Sequence, residues 1–521
     1  MQHFTDWVSA VLGKAPYTPG NSPLEQLPNE LLSRILDFLV LPVSEIRQWS
    51  MFDELPCKNM HFSQLLESNS RTASPNTTQP TFSLLPCLQV SRRMYDVALP
   101  KFYRDIKVVQ ETLAAEGPNF QLLRSIDSNP SLAPLIRTLD LTGFLTSGRP
   151  WLVPQTLLLF LRLRSLHLQL GAMKQLSDQA IQKIFFGMPD LETLAIANTC
   201  PKTHPTYLSN IFRTIESVGP DTFSNIRSLT CRSHSEFIQL WNPADGVGFV
   251  DTDIFSKVLP RFPRLQALDL AYTSVNPQSL LAINPDTRLQ FLRITNCQGN
   301  DTSTLAHFLA THTAVKNSLV VFDATGVRFT QQDTTTILAG FPPTLRSLNV
   351  SSSNMTADHV SQLQKLCRHL EELSVGHGLT MNQVEASIMG PNFEFDLSIP
   401  HRSLHDARTS KDALGHELTL GPMRDAIATC NLRRRLASVS PINRSTNTYR
   451  SRIRYLNLSS MDEEDQGRIT NSVLLGKHSQ PLELIVVPNV STEDYHILQK
   501  LCGGCGWRDK WMNGMVWVER G

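Results

Sequence analysis

Two rhythms of apolar residues run along this chain. From Pro23 to Val40, in PLEQLPNELLSRILDFLV, the residues Leu27, Leu31, Leu32, Ile35, Leu36, Phe38 and Leu39 recur at the i, i+3, i+4 and i+7 offsets of a helix. They cover more than one narrow stripe, so the predicted helix has apolar surface for two neighbours. Helical spacing returns at Leu84 in LLPCLQVSRRMYDVALPKFYRDI, with Leu88, Met94, Val97 and Phe102 among its apolar positions and Pro86 and Pro100 as expected boundaries. Between the two lies SNSRTASPNTTQPT, Ser68 to Thr81, whose Ser, Thr, Asn and Pro content predicts a solvated loop.

The second rhythm is a recurring phrase, L-x-x-L-x-L, seen as LIRTLDL, LRSLHL, LETLAI, IRSLTC, LQALDL, LQFLRI, LVVFDA, LRSLNV and LEELSV. Its first apolar positions are Ile136, Leu163, Leu191, Ile226, Leu265, Leu289, Leu319, Leu345 and Leu370, spaced by 27, 28, 35, 39, 24, 30, 26 and 25 residues. That is a leucine-rich-repeat period with two longer repeats. Each phrase predicts a strand too short to form a core alone, followed by helical sequence such as Leu176 to Met188 or Ala357 to Cys367. Stacking such units with strands parallel on a concave face and helices outside buries one continuous apolar ladder. Cys297 falls where this repeat class places a small Cys or Asn to satisfy loop backbone.

After Leu370 the next clear phrase is RIRYLNL, 83 positions on at Ile453, and a last one follows at Leu482. Residues 378–450 read as a disordered or irregular insertion. The end, WRDKWMNGMVWVERG, carries Asn513-Gly514 between apolar stretches, a hairpin signal. A hairpin bearing Trp511 and Trp517 would cover the open end of the array. The expected organisation is an extension over 1–22, a helical domain over 23–110 with a polar insertion at about 41–82, the array over 130–377, the insertion over 378–450, and final repeats with the cap over 451–521.

A length of 521 residues requires several domains or an extended array. The formal net charge of +1 argues against a nucleic-acid or anionic-membrane partner, which would select a basic excess. No stretch of eighteen apolar residues or secretory leader is evident, so the expectation is a protein kept in the cytoplasm or nucleus. Nine cysteines, an odd number, suit reduced thiols. Cys502-Gly-Gly-Cys505 is a lone C-x-x-C, half of what a structural zinc site needs, and packing thiols are the expected reading. No phosphate-binding loop, nucleophile elbow or zinc-protease helix is present, so no enzyme, cofactor or metal is expected. Arg433-Arg434-Arg435, near Ser438 and Ser440-Pro441, reads first as a solvated charge run, with a phosphorylated or import segment as the alternative.

The opening helix, with Leu27, Pro28, Glu30, Leu31, Ile35, Leu36 and Leu39, resembles the first helix of the F-box, and Val90, Ser91, Arg92 and Arg93 resemble its second half. The resemblance covers the first hundred or so residues by motif and the rest by architecture. This chain departs from the family in its long connection between Val40 and Leu84 and in Met94-Tyr95 where a Trp often stands. The resemblance implies an α/β protein, a small all-helical F-box followed by a right-handed leucine-rich-repeat solenoid. It also implies a noncatalytic substrate receptor of a Skp-cullin-F-box ubiquitin ligase. Leu27, Pro28, Glu30, Leu31, Ile35, Leu36, Leu39 and Val90 would hold the Skp adaptor, which brings the cullin scaffold.

Side chains alternate along a strand, so residues between the inward leucines face the concave side. Asp140, His167, Asp269, Phe291, Arg293, Asn349, Glu372, Tyr455 and Asn457 are therefore the candidate contacts for a protein substrate. Their mixed signs do not suit a phosphate backbone. Two alternatives stand beside this: a repeat scaffold without a link to ubiquitin, in which the Leu27 face is buried in its own fold, and a solenoid activator of a small GTPase.

Overall fold

The computed structural model describes residues 26–40, 84, 87–107, 126, 128–141, 160, 162–169, 181–182, 187–198, 206–217, 223–233, 252–273, 276–297, 301–390, 451–458, 460–461, 469, 472–475, 482–488, 495–496, 498–500, 502, 506–512 and 515–520. The expected extension at 1–22, most of the polar insertion at 41–82, and the arginine run at Arg433 lie outside these. The chain divides into two compact units, Met1–Arg264 and Leu265–Gly521.

The first unit opens with helix α1, Asn29–Val40. The Pro28 carbonyl accepts the first helical bond, from Leu32 N at 3.0 Å, so the proline ring sits at the helix mouth. Glu30 lies in the first turn, where the helix dipole favours negative charge. The second helical stretch is split into α2, Cys87–Val90, and α3, Arg92–Arg104. The break is Ser91, whose extended backbone caps α3 and whose Oγ accepts from Met94 N at 3.2 Å. Pro100, expected at a boundary, lies inside α3. It removes one backbone donor, but Phe102 and Tyr103 beyond it pack inward and hold the last turn in place. One core joins the three helices: Leu32 and Leu36 of α1, Leu84, Cys87 and Leu88, and Met94, Tyr95 and Ala98 of α3.

The sheet of this unit is parallel and strictly sequential. Its strands are β1 Asp105–Lys107, β2 Thr138–Asp140, β3 Ser165–Gln169, β4 Thr193–Asn198 and β5 Ser228–Ser233. The repeat spacing flags β2 to β5; it does not flag β1, which follows α3 directly and pairs Ile106 with Leu139. Leu139, Leu166, Leu194 and Leu229 are in register across four strands and fully buried. Helices α4, Thr206–Ser217, and α5, Thr252–Val258, pack together, with Phe212 edge-on to Phe255 at 5.4 Å.

The second unit repeats the plan with β6 Ala267–Asp269, β7 Phe291–Arg293, β8 Val321–Asp323, β9 Ser347–Asn349, β10 Glu372–Ser374, β11 Tyr455–Asn457 and β12 Leu484–Pro488. Leu268, Leu292, Phe322, Leu348, Leu373, Leu456 and Ile485 form its central rung. Between the strands lie α6 Pro277–Leu280, α7 Thr302–Thr311, α8 Thr313–Lys316, α9 Gln331–Gly340, α10 Val360–Cys367 and α11 Met381–Met389. Their starts reuse one device: Asp301, Thr330 and Thr380 each accept backbone N–H groups of the first turn, and Thr330 with Asp333 and Thr380 with Gln383 close capping boxes. The same turn follows three strands, with Tyr272, Asn296 and Gly326 each at positive φ, three residues past the strand end. Cys297 donates to the Leu270 carbonyl at 3.2 Å, satisfying loop backbone of the preceding repeat.

The later part adds one pairing and departs from one expectation. Strand β10 pairs directly with β11 in parallel, Leu373 opposite Leu456, so the two are neighbours in the sheet. The insertion also begins later than residue 378, because Met381–Met389 is a capped helix. Its apolar residues Met381, Val384 and Ile388 are buried, so it belongs to the repeat that starts at Leu370. Residues 391–450 lie outside the described part. At the end, β13 Trp507–Met512 and β14 Met515–Arg520 form an antiparallel pair, with Met512 opposite Met515. Strand β14 pairs antiparallel with β12, so the pair extends the sheet. Asn513, Gly514 and the side chains of Trp511 and Trp517 lie outside the described residues.

Candidate functional site

Helix α1 divides its wide apolar face between two environments. Leu32 and Leu36, four residues apart, are each 1% exposed and form part of the helical core. Leu31 and Ile35, one position earlier on each turn, are 46% and 37% exposed. Burying a leucine or isoleucine stabilises by about 1.5–3 kcal/mol, so the inner pair holds the helix down while the outer pair is left for something else. Val90, at the end of α2, is 68% exposed. Among the described residues the exposed large hydrophobics are Leu31, Ile35, Val90 and Leu281, so three of the four fall in the helical region. Scattered single apolar residues on a surface are ordinary; a concentration on two helices sharing one core marks a candidate docking surface.

The helix presenting this face is fixed at both ends. Arg93 donates through Nη2 to the Leu27 carbonyl and through Nε to Asn29 Oδ1 at 2.9 Å, tying α3 to the start of α1. Further along, Lys101 of α3 pairs with Asp37 of α1. Both cations come from the second helical stretch, and sequence spacing alone gives no hint of this bracing role. Tyr95 is buried in the same core, and burial first, then the nearby Asp96, pushes its phenol above the ordinary range.

The expected docking residues are therefore dispersed. Pro28, Leu31, Ile35 and Val90 are exposed, and Leu27 is half-buried with its carbonyl engaged by Arg93. Leu36 is in the core and offers no surface, because it sits on the inward side of α1 beside Leu32. Glu30 is exposed but turns toward a groove shared with α3, along with Asn29 and Ser33. The side chain of Leu39 lies outside the described residues.

The strand face differs more. Phe291, Asp269, Arg293, Asn349 and Glu372, expected as exposed contacts, are all buried. Asp269 and Arg293 pair laterally between strands. Asp269, Arg293, Asp323 and Asn349 are in register on β6 to β9. Arg293 Nε meets Asp323 Oδ2 at 2.9 Å, and its Nη1 lies 3.6 Å from Asp269 Oδ2. The guanidinium lies 5.8 Å from the Phe291 ring centroid, shielding it from above. Asp323 also accepts from Thr325 Oγ1 at 2.8 Å, and Thr325 Oγ1 in turn accepts from Asn349 Nδ2 at 2.7 Å. Each carboxylate and the asparagine further cap the turn after their own strand: Ala271 N, Thr325 N and Ser351 N donate to Asp269, Asp323 and Asn349. These side chains are an internal polar ladder and do not form a contact surface.

Of the expected contacts, those that stay half-exposed are Asp140 and His167 in the first unit and Tyr455 and Asn457 in the second. His167 Nε2 lies 3.0 Å from Ser165 Oγ. Tyr455 donates to Glu483 Oε2 at 3.3 Å beneath Arg454, which also pairs with Glu483 at 2.8 Å; burial first, then the Glu483 charge, drives the Tyr455 phenol upward. The described thiols suit packing: burial pushes Cys297 and Cys367 up to about 12, far from a reactive thiolate. Cys502 is a buried thiol outside any disulfide, and Cys505 lies outside the described residues. Among the described residues no group of three His, Cys, Asp or Glu side chains could hold a metal ion, and no helix is long and apolar enough to cross a membrane.

No family model matches the chain. No curated protein matches it either. Among solved structures, a chain from the crystal structure of the Rad7 and Elc1 complex in yeast shares 18% identity, over 68% of this chain and 89% of that one, at a TM-score of 0.34. A likeness of that extent supports no inference about function.

Proposed function

We propose that this chain is the noncatalytic substrate receptor of a Skp-cullin-F-box ubiquitin ligase, working in the cytoplasm or nucleus. Its helical N-terminal region is an F-box that grips the Skp adaptor, and its parallel-stranded repeats are leucine-rich repeats that hold a protein substrate. The receptor contributes proximity alone: it holds a substrate lysine near a conjugating enzyme recruited by the cullin.

The observation that carries this reading is the division of α1, with Leu32 and Leu36 inward and Leu31 and Ile35 outward. A helix that served only as a cap for the repeats would bury all four. The outward pair, with Pro28 and Val90, supplies an apolar surface of the kind the F-box resemblance assigns to the adaptor. A repeat scaffold unconnected with ubiquitin requires the Leu27 face to be enclosed by its own fold, and the exposure of Leu31 and Ile35 weighs against it. For the substrate, the half-exposed Asp140, His167 and Tyr455 are better placed than the buried ladder.

The test is co-purification of the full chain with the Skp adaptor and cullin from cells expressing either the parent or Leu31→Asp, Ile35→Asp. Recovery of both partners with the parent and neither with the folded variant supports the receptor. Failure of a well-folded parent to recover the adaptor removes ubiquitin from the account.

A further inference from the structure

A groove of about 850 Å³ in the first unit lies on the other flank of α1. At 100° per residue, Asn29 and Ser33 point well away from Leu31 and Ile35, with the buried Leu32 and Leu36 between the two flanks. The helical wall carries Asn29, Glu30, Ser33, Asp96 and Pro100; the strand wall carries Arg104, Arg137, Arg162 and Arg164.

The strand-wall arginines follow from the register of the parallel sheet. Arg104 precedes β1, Arg137 precedes β2 and Arg164 precedes β3, and their backbones are bonded in series: Arg137 N to Arg104 O at 2.8 Å, Arg164 N to Arg137 O at 2.8 Å. Adjacent strands lie about 4.8 Å apart, so three like charges stack along one edge, an arrangement that is unfavourable without counter-charge. Among the described residues the counter-charge is slight. Arg104 reaches Asp105 only at 3.7 Å and Arg164 reaches Glu192 only at 3.8 Å, with both arginine side chains 61% exposed. Arg137 donates to the Arg162 carbonyl, and among the described residues neither Arg137 nor Arg162 meets a carboxylate within 4.0 Å.

We propose that this groove binds an extended acidic segment of a partner protein, its carboxylates or phosphorylated side chains paired along the rail formed by Arg104, Arg137 and Arg164. The rail spans two inter-strand steps, about 10 Å, which one phosphate group cannot bridge but an extended peptide with acidic residues at alternate positions can. Pro100, Pro134, Val97 and Leu135 give the segment's backbone and apolar side chains something to lie on. A nucleic acid fits poorly, because the described lining has no aromatic residue on which a base could stack. This inference does not depend on the adaptor reading, since it uses a different flank of α1.

The experiment is fluorescence anisotropy of the full-length protein with a labelled seven-residue peptide bearing glutamate at alternate positions. The variants are the double reversal Arg137→Glu, Arg164→Glu and, as a charge reversal at a site outside the groove, the exposed Arg288→Glu. The expected result is saturable binding by the parent and by Arg288→Glu, weakened about tenfold or more in the double variant. Each exposed pair is individually weak, but two reversals replace attraction by repulsion. If the double variant melts early, the milder Arg104→Gln, Arg164→Gln replaces it, with a loss of at least about threefold expected. Three results overturn the proposal: no binding by the parent, unchanged binding in a folded rail variant, or equal binding of a labelled single-stranded oligonucleotide. Displacement of the peptide by millimolar inorganic phosphate as effectively as by unlabelled peptide would overturn it too, since it would show a simple anion site.

Discussion

Arg293 and Asp323 stand side by side on neighbouring strands, their Nε and Oδ2 2.9 Å apart, and both are almost wholly withdrawn from solvent. With Asp269 on the other side at 3.6 Å, one cation serves two buried carboxylates. Removing one member of such a group leaves uncompensated buried charge and costs about 3–5 kcal/mol. Arg293→Ala is therefore expected to lower the midpoint of urea unfolding strongly, and to do so more than Arg293→Ala combined with Asp269→Asn and Asp323→Asn. A triple variant no more stable than the single one would show that the carboxylates do not depend on Arg293.

The turn between repeats makes a second, local demand. Gly326 has φ of +81°, and a Cβ built there would fall 1.8 Å from Asn296 Oδ1 of the preceding repeat. Gly326→Ala is expected to destabilise by about 1–2 kcal/mol from backbone strain alone, with a further steric loss. Adding Asn296→Ala should recover the steric part and leave the strain. A double-mutant cycle by chemical denaturation reads the coupling, and additive losses would contradict the clash.

Stability should also fall in mild acid through His312. Its Nδ1 accepts from Ala314 N at 3.3 Å at the start of α8, which requires that nitrogen to be unprotonated. Burial holds the imidazole below its ordinary value of 6.5. A group depressed in the folded state contributes stability above its unfolded value and loses it as pH falls through the folded value. Unfolding at pH 7.5 and 5.5 should thus differ by more in the parent than in His312→Asn, which keeps a capping acceptor that does not titrate. Equal differences would count against the assignment.

The bracing of α1 can be separated from its exposed face. Arg93→Ala removes the links to the Leu27 carbonyl and Asn29 while leaving Leu31 and Ile35 untouched. Amide exchange in the first turn of α1 is expected to rise, and adaptor binding to weaken by less than in Ile35→Asp. No change in exchange would show that Lys101 and Asp37 suffice to hold the helix.

The strands were readable in the sequence because each needs only a period-two phrase and each phrase sits one repeat from the next; Leu166, Leu292 and Leu456 all fall on central rungs. The division of α1 was readable in part, since a face that wide has to serve two neighbours, but helical spacing does not rank Leu36 inward and Ile35 outward. The strand face was misread for a physical reason. Alternation says which side Arg293 is on, and nothing local says that Asp269 and Asp323, 24 and 30 residues away in sequence, stand beside it. Strand β1 was missed because Asp105-Ile106-Lys107 has one apolar residue and takes its place only by pairing with β2.

The most direct measurement is the affinity of the purified Skp adaptor for the full chain, by titration calorimetry, comparing parent, Ile35→Asp and Leu281→Asp. Leu281 is exposed to a similar degree, 38% against 37%, but lies far along the chain from the helical region. Binding by the parent and by Leu281→Asp, lost by at least about a hundredfold in Ile35→Asp with its circular dichroism intact, is the expected result. Equal affinity in all three, or none in the parent, would contradict the docking role of α1.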